Sequence, residues 1–422
     1  MRGKLVTVVV TALLLSGLTL YRSDNDSERT GAHSGYGNLD MDEVSYDVTE
    51  SDLNRVVEGN NEFAFDLYHE LDPDDNLFFS PWSISSAMAM TYEGSAGVTA
   101  QEMEDVFGFT ENRSEMRKAY GFLHNRYNTN DTGYEINTAN SAWVNEDYPV
   151  LEEYKFILIN YYFSQVEELD FFTDPSEACD KINQWVSDNT NGTIRDIISE
   201  QDINRLTQMV LANAIYFNGK WSNPFNGTET RHVKFYTADE REIGVPFMRQ
   251  EGIFNYTDDD DFQILKKNYE GNDVSMLFIL PKEDNLAEVK GNLTLEKLEE
   301  WRDDLEPTSM RMVSIPKFDF ETEYNLQETL EDLGTNTLFD GRADLSGIDG
   351  AGYLFLDYVK HNAFIEVDEK GTEAAAVTIG GARPIGIDRR PKFNANRPFL
   401  FLIQDNETGN ILFMGRVNDP SE

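Results

Sequence analysis

Few residues in this 422-residue chain are placed to make or break bonds. The five histidines, His33, His69, His124, His232 and His361, are widely separated, and no two stand at the spacing that sets a pair of imidazoles on one helix face for a metal. Cys179 is the single cysteine, which excludes an internal disulfide, a thiolate cluster and a redox pair. There is no Gly-x-Ser-x-Gly elbow, no His-Glu-x-x-His helix and no paired-glycine phosphate loop. Ser80 with His361 is the one combination open to nucleophilic chemistry. Ser80 precedes Pro81 in the manner of a helix cap, a simpler role. The chain therefore reads as a non-enzyme without metal or cofactor.

The segment that stands out most lies near the C-terminus. Residues 366–393 read EVDEKGTEAAAVTIGGARPIGIDRRPKF, and after the strand-like Phe364-Ile365-Glu366-Val367 large side chains almost vanish. Every second residue from Thr372 is small: Thr372, Ala374, Ala376, Thr378, Gly380, Ala382. The other parity, Glu373, Ala375, Val377, Ile379, Gly381 and Arg383, is mixed. Strand side chains alternate between faces, so on becoming a strand this segment could slide one face over a packed interior without overpacking. An ordinary exposed loop has no reason to keep one parity small, which marks the stretch as a candidate for insertion into a sheet as a strand.

The elements that must carry this segment show in the periodicity. Phe63, Leu67 and Leu71 fall at i, i+4 and i+8, an amphipathic helix that ends at Asp72-Pro73. Ser80-Pro81 opens a second helix, and its body Ser85-Ser86-Ala87-Met88-Ala89-Met90 is apolar nearly all round, as a core helix is. Asp174-Pro175 opens another, carrying Ile182, Trp185 and Val186 until Asn191-Gly192 stops it. Residues 209–217 form an almost continuous apolar run, expected of a strand covered on both faces. Residues 274–280 form a strand ending at Pro281, 354–367 read as one long strand, and 399–403 with 411–417 flank a hairpin turn at 405–410. Helices come early and strands late, which predicts an α+β fold rather than alternating α/β.

Hydrophobic residues at 40% and aromatics at 12% fit a globule. Acidic residues number 77 against 35 basic ones, a net charge of -42 spread along the whole chain. Such a surface repels nucleic acid, anionic membranes and glycans. It reads as a solvated surface adapted to high salt, pointing to a salt-adapted prokaryote; the other reading is an acidic docking face for a basic protease. Residues 1–21 carry Arg2 and Lys4 ahead of an apolar run from Leu5 to Leu20, an export segment that is either a cleaved signal peptide or a retained membrane anchor. This predicts an extracellular or cell-surface location. Residues 22–50 are acidic and glycine-dotted, a flexible linker, and 51–422 form the globular domain. Asn112, Asn226, Asn292 and Asn406 sit in triplets that permit glycan attachment outside the cell.

EVDEKGTEAAA resembles the hinge motif of the serpins, in which a glutamate, a glycine, a threonine and an alanine run precede the reactive loop. Asn76-Leu77-Phe78-Phe79-Ser80-Pro81-Trp82-Ser83-Ile84-Ser85 is similar to the family's entry into its second helix. Asn213-Ala214-Ile215-Tyr216-Phe217-Asn218-Gly219-Lys220-Trp221 resembles the central strand of its main sheet. Arg397-Pro398-Phe399-Leu400-Phe401 with Leu412-Phe413-Met414-Gly415-Arg416-Val417 resembles its closing hairpin, and the resemblance covers roughly residues 53–420 in the family's order.

The resemblance implies three β-sheets, about eight or nine helices and an exposed reactive loop near the C-terminus. It implies a monomeric suicide inhibitor of serine proteases, with Glu369, Gly371, Thr372, Ala374, Ala375 and Ala376 as the hinge. Counting seventeen residues from Glu369, itself included, puts the scissile bond at Ile385–Gly386, with Lys392-Phe393-Asn394 at the family's usual distance. Arg383 and Arg390 are each followed by proline, and Arg389 and Arg390 would lengthen the inserted strand. An aliphatic Ile385 implies a subtilisin-, elastase- or chymotrypsin-like target. The protease serine attacks Ile385 and forms an acyl-enzyme. The freed chain 371–385 then enters the main sheet, spanning roughly 50 Å at about 3.3 Å per residue. Serpin loop insertion is itself a known example of strand addition and of strain release.

By the same resemblance Ser80, Ser83, Asn213 and His361 form a polar shutter where the sheet opens. Trp221 and Arg249 form the gate, with a Glu369–Arg249 ion pair in which Arg249 replaces the family's usual lysine. The plain alternatives are a satisfied core histidine and a helix cap. Gly380-Gly381 raises the cost of ordering the loop and favours turnover as a plain substrate. No basic face around 111–128 resembles a heparin site. Two further readings stay open: a non-inhibitory serpin-fold chaperone, carrier or storage protein, and an inhibitor of a cysteine protease.

Overall fold

The computed structural model describes residues 44–71, 75–128, 134–146, 148–190, 192, 194–195, 197–203, 207–282, 286, 290–356, 358–370 and 388–421. The described residues belong to one unit, Gly35–Glu422.

The N-terminal half is mostly helical: α1 (Glu50–Glu70), α2 (Pro81–Glu93), α3 (Gly97–Phe107), α4 (Arg113–Tyr127), α5 (Glu152–Tyr161) and α6 (Pro175–Asn189). The strands β1 (Leu77–Phe79), β2 (Tyr134–Asn145) and β3 (Ser164–Leu169) lie among them. Strands then dominate: β4 (Met209–Gly219), β5 (Arg231–Tyr236), β6 (Glu242–Asp258), β7 (Phe262–Asn268), β8 (Val274–Pro281), β9 (Glu306–Pro316) and β10 (Phe318–Asn325). They are followed by β11 (Lys360–Val367), β12 (Lys392–Asn394), β13 (Phe399–Asp405) and β14 (Ile411–Val417). The short helices α7 (Leu295–Asp304), α8 (Gln327–Leu333) and α9 (Ser346–Asp349) interrupt this half.

Local chemistry sets the ends of the key elements. Ser80 caps α2 by accepting from the Ser83 amide, and Pro81 fills the first turn, where its missing N–H costs nothing. Asp174 does the same for α6, with Pro175 behind it. All thirteen residues of α2 are buried, as its all-round apolar body requires. It packs against β14 and β4. The hairpin β13–β14 is antiparallel, and every residue in both strands is buried.

Three sheets result. The largest runs β1-β14-β13-β8-β7-β6-β9-β12, with β5 paired to β6; the second is β3-β2-β4 and the third β10-β11. The α+β expectation holds. Two boundaries differ from those read in the sequence. The strand expected over 354–367 is confined to Lys360–Val367, because Leu354 and Leu356 bury against other elements while Tyr353 and Phe355 are exposed, without strand pairing. Ordered packing also begins ahead of α1, inside the stretch read as linker. Tyr46 donates to the Asn160 carbonyl at 2.8 Å and packs its ring against Tyr161 and Phe163.

Candidate functional site

The strands β4 and β11 lie side by side, yet they belong to different sheets, and no ladder joins them among the described residues. They run in the same direction. At one end a cavity of about 70 Å³ is lined by Met209, Val210 and Leu211 of β4 and by Leu354, Leu356 and Tyr358 ahead of β11. At the other end the residues just after β4 bond to those just after β11. Edge strands without a ladder present unpaired N–H and C=O groups, which form a template for another strand. β11 leads directly, through Glu369 and Lys370, into 371–387.

The bonded end is where the sequence reading expects the gate. Trp221 Nε1 donates to the Asp368 carbonyl at 3.0 Å, and the Trp221 and Phe225 amides donate to the Lys370 and Glu369 carbonyls at 2.9 and 2.8 Å. The Trp221 ring stacks on Tyr269 at 4.5 Å. Glu369 does not pair with Arg249. Its carboxylate takes Lys317 Nζ at 2.8 Å and Thr230 Oγ1 at 2.6 Å. Register explains the correction. Phe318 pairs with Val367, so the residue before β10 comes level with the residues after β11, whereas Arg249 is held on β6 opposite Ser314. Burial alone would raise the Glu369 pKa, but the bonds from Lys317 and Thr230 outweigh it and hold the carboxyl below its usual range. The Arg249 Nε is buried with no hydrogen-bond partner.

The residues read as a shutter divide into two groups. Ser80 donates its N–H to His361 Nε2 at 3.0 Å and its hydroxyl to the Leu412 carbonyl at 2.6 Å, while Oγ accepts from the Ser83 amide at 3.0 Å. This ties the start of α2 to β11 and β14. Nε2 accepts, so the ring proton resides on Nδ1. Burial of the imidazole lowers its pKa to about 3. Asn213 is not part of that group; its Nδ2 donates to Asn140 Oδ1 on β2 at 2.6 Å, and Asn140 Nδ2 donates to the Tyr162 carbonyl at 2.9 Å. The Ser83 hydroxyl is buried without a partner. His361 also stacks on Tyr324 of β10.

The hinge residues Gly371, Thr372, Ala374, Ala375 and Ala376, and the bond Ile385–Gly386, lie outside the described residues. The chain is described again from Asp388, where it is firmly anchored. Arg390 pairs with Glu251 at 2.8 Å and Asp388 at 2.7 Å, the Arg311 amide donates to the Pro391 carbonyl, and β12 pairs in parallel with β9. The hydrogen bonds from Arg390 pull the Asp388 pKa down to about 2. Lys317, Thr230 and Asn140 were not singled out from sequence. The alternating Phe318-Asp319-Phe320 run signals a strand after Lys317, but nothing local signals its partner.

No group of metal-ligating side chains and no helix long and apolar enough to cross a membrane occurs among the described residues. A protein-family model described as "Serpin (serine protease inhibitor)" matches residues 58–420. An uncharacterized serpin-like protein of Methanosarcina acetivorans is 39% identical over 86% of this chain and 88% of its own. The leukocyte elastase inhibitor of Xenopus laevis is 35% identical over 85% of this chain and 97% of its own. The crystal structure of uncleaved ovalbumin superposes with a TM-score of 0.78 at 30% identity, covering 86% of this chain and 100% of that one.

Proposed function

The chain belongs to the serpin family, and on that premise we propose that it is an exported suicide inhibitor of serine proteases, cut at Ile385–Gly386. The observation that carries this reading is the pair of neighbouring strands, β4 and β11, left without a ladder beside the segment that leaves β11. A strand descending from the gate would run antiparallel to both and satisfy both edges. The parity of 372–382 supplies the small face such a strand needs.

Insertion after cleavage carries the acylated protease along with Ile385 and distorts its catalytic groups before deacylation. The chain is thus a substrate that traps, with no catalytic residues of its own. An aliphatic Ile385 favours an apolar specificity pocket, and the similarity to a leukocyte elastase inhibitor is in keeping with an elastase-like target. Arg390 is held in ion pairs with Glu251 and Asp388, which disfavours a cut beside it. The acidic surface and the archaeal relative suit a salt-adapted source, and the apolar run at 5–20 suits export.

The test mixes the full chain with an elastase- or subtilisin-like protease in high salt and resolves the products on a denaturing gel. A covalent complex plus a fragment beginning at Gly386 is expected. Clean cleavage with the protease still active would refute inhibition and place the chain with carrier or storage proteins of the fold. A fragment with another N-terminus would move the bond.

A further inference from the structure

Lys267, on β7, is almost fully buried directly beneath the gate, with no carboxylate paired to it among the described residues. Its Nζ lies 4.4 Å from the centroid of the Phe225 ring, 5.2 Å from Trp221 and 5.6 Å from Phe254. It donates to the Asn223 carbonyl at 2.5 Å and to Gln250 Oε1 at 3.3 Å, and Gln250 in turn donates to the Pro224 carbonyl. Three ring faces around the amine form an aromatic cage, whose attraction for a cation offsets only part of the cost of burying the charge. Apart from the Phe254 ring on β6, the contacts of this amine either belong to the 221–225 turn or, as Gln250 does, bond to it. That turn makes the three hydrogen bonds that hold 368–370.

We propose that Lys267 is a positioning residue for strand entry: its buried amine, donating to the Asn223 carbonyl and to Gln250, fastens the 221–225 turn, and through it the root of the bait segment, so that loss of the amine loosens the gate. The proposal deepens the inhibitory reading and rests on it for its functional consequence. Few other charges face this site. Tyr269 follows on the same face of β7, and Arg249 and Glu251 flank Gln250 on β6, with Glu251 engaged by Arg390. Lys220 and Glu270 border the turn, Glu369 and Lys317 pair with each other beyond Phe225, and β8 brings up Met276. Burial draws the Lys267 pKa down to about 7, so the closed gate favours the neutral amine and is held less firmly once the amine takes up a proton.

The test is amide hydrogen exchange at Trp221 and Phe225 in the intact chain, for wild type, Lys267→Arg and Lys267→Met, at pH 6 and pH 9. Rates are expressed as protection relative to unfolded peptide at the same pH. Wild type should be about tenfold less protected at pH 6 than at pH 9, which is about 1.4 kcal/mol, because protonation favours the opened, hydrated amine. Lys267→Arg, charged throughout, and the apolar Lys267→Met should show no such change, with Lys267→Met at the weakly protected level. Equal wild-type protection at both pH values, or a Lys267→Met variant that keeps the full pH change, would overturn the proposal. A second arm follows heat resistance after the bait segment is nicked. Failure of wild type to gain heat resistance sinks strand insertion and leaves the exchange result standing. A gain reached about tenfold faster in Lys267→Met joins the two.

Discussion

His361→Gln isolates one proton at the edge of the slot. In the folded chain the imidazole is neutral, its Nε2 accepting from the Ser80 amide and its pKa lowered by burial to about 3. In the unfolded chain it titrates near 6.5. Between these values the unfolded state binds one more proton than the native state, so native stability falls as pH falls through 6.5 and stops falling near 3. At pH 7.5 the term is negligible. At pH 4.5 it amounts to about 2.7 kcal/mol of lost stability, nearly independent of the folded pKa as long as that lies below about 4. Glutamine can still accept from the Ser80 amide and does not titrate. The variant should lose about 1–3 kcal/mol at pH 7.5 through poorer packing beside Tyr324, then close that gap by about 2.7 kcal/mol at pH 4.5. Urea unfolding followed by tryptophan fluorescence at the two pH values measures both. Carboxylates and the similarly buried His124 titrate in both proteins and cancel in the difference. A closing of the gap by less than about 1 kcal/mol would refute the neutral, accepting imidazole.

Lys317→Met should loosen the gate by no more than about 1 kcal/mol, since the Lys317–Glu369 pair is partly exposed. The readout is faster annealing of a synthetic 372–385 peptide into the intact chain; an unchanged rate would remove the pair from the gate. Ala376→Arg puts a long charged side chain on the small parity, so cleavage at Ile385–Gly386 should persist while the covalent complex disappears. A variant that still traps protease at the wild-type stoichiometry would refute the small-face argument.

Features that depend on near neighbours in the sequence were legible there. The serine and aspartate caps, the buried α2, the run that becomes β4 and the closing hairpin each follow from spacing within about ten residues. Features set by register across the fold were not. Lys317 reaches Glu369 because Phe318 pairs with Val367, and no local pattern carries that pairing. Arg249 was the plausible partner by type, but its strand holds it opposite Ser314. Nothing in the stretch Gln263-Ile264-Leu265-Lys266-Lys267 singles out Lys267, and only the fold brings three rings around its amine. The tract 354–359 has strand composition and no strand partner, since burial of Leu354 and Leu356 satisfies its apolar residues instead. The small parity of 372–382 was the clearest signal in the sequence, and it falls outside the described residues.

The two anchors of the bait segment are unequal, and this determines which half of a cut chain would move. On the near side the root is held by three hydrogen bonds from the 221–225 turn and one partly exposed ion pair. Each contributes about 1 kcal/mol or less net. On the far side the chain is part of the large sheet: β12 pairs with β9, the Arg311 amide holds the Pro391 carbonyl, and Arg390 bridges Glu251 and Asp388. A cut between the anchors frees both ends, but the far end stays because leaving would break a ladder with nothing to replace it. On the proposed mechanism the near end exchanges a few weak bonds for ladders on the two facing edges of β4 and β11, which no ladder joins among the described residues. On that mechanism the slot draws in the segment that leaves β11, and the 221–225 turn that holds its root, Lys267 included, is where a single substitution should change the rate most.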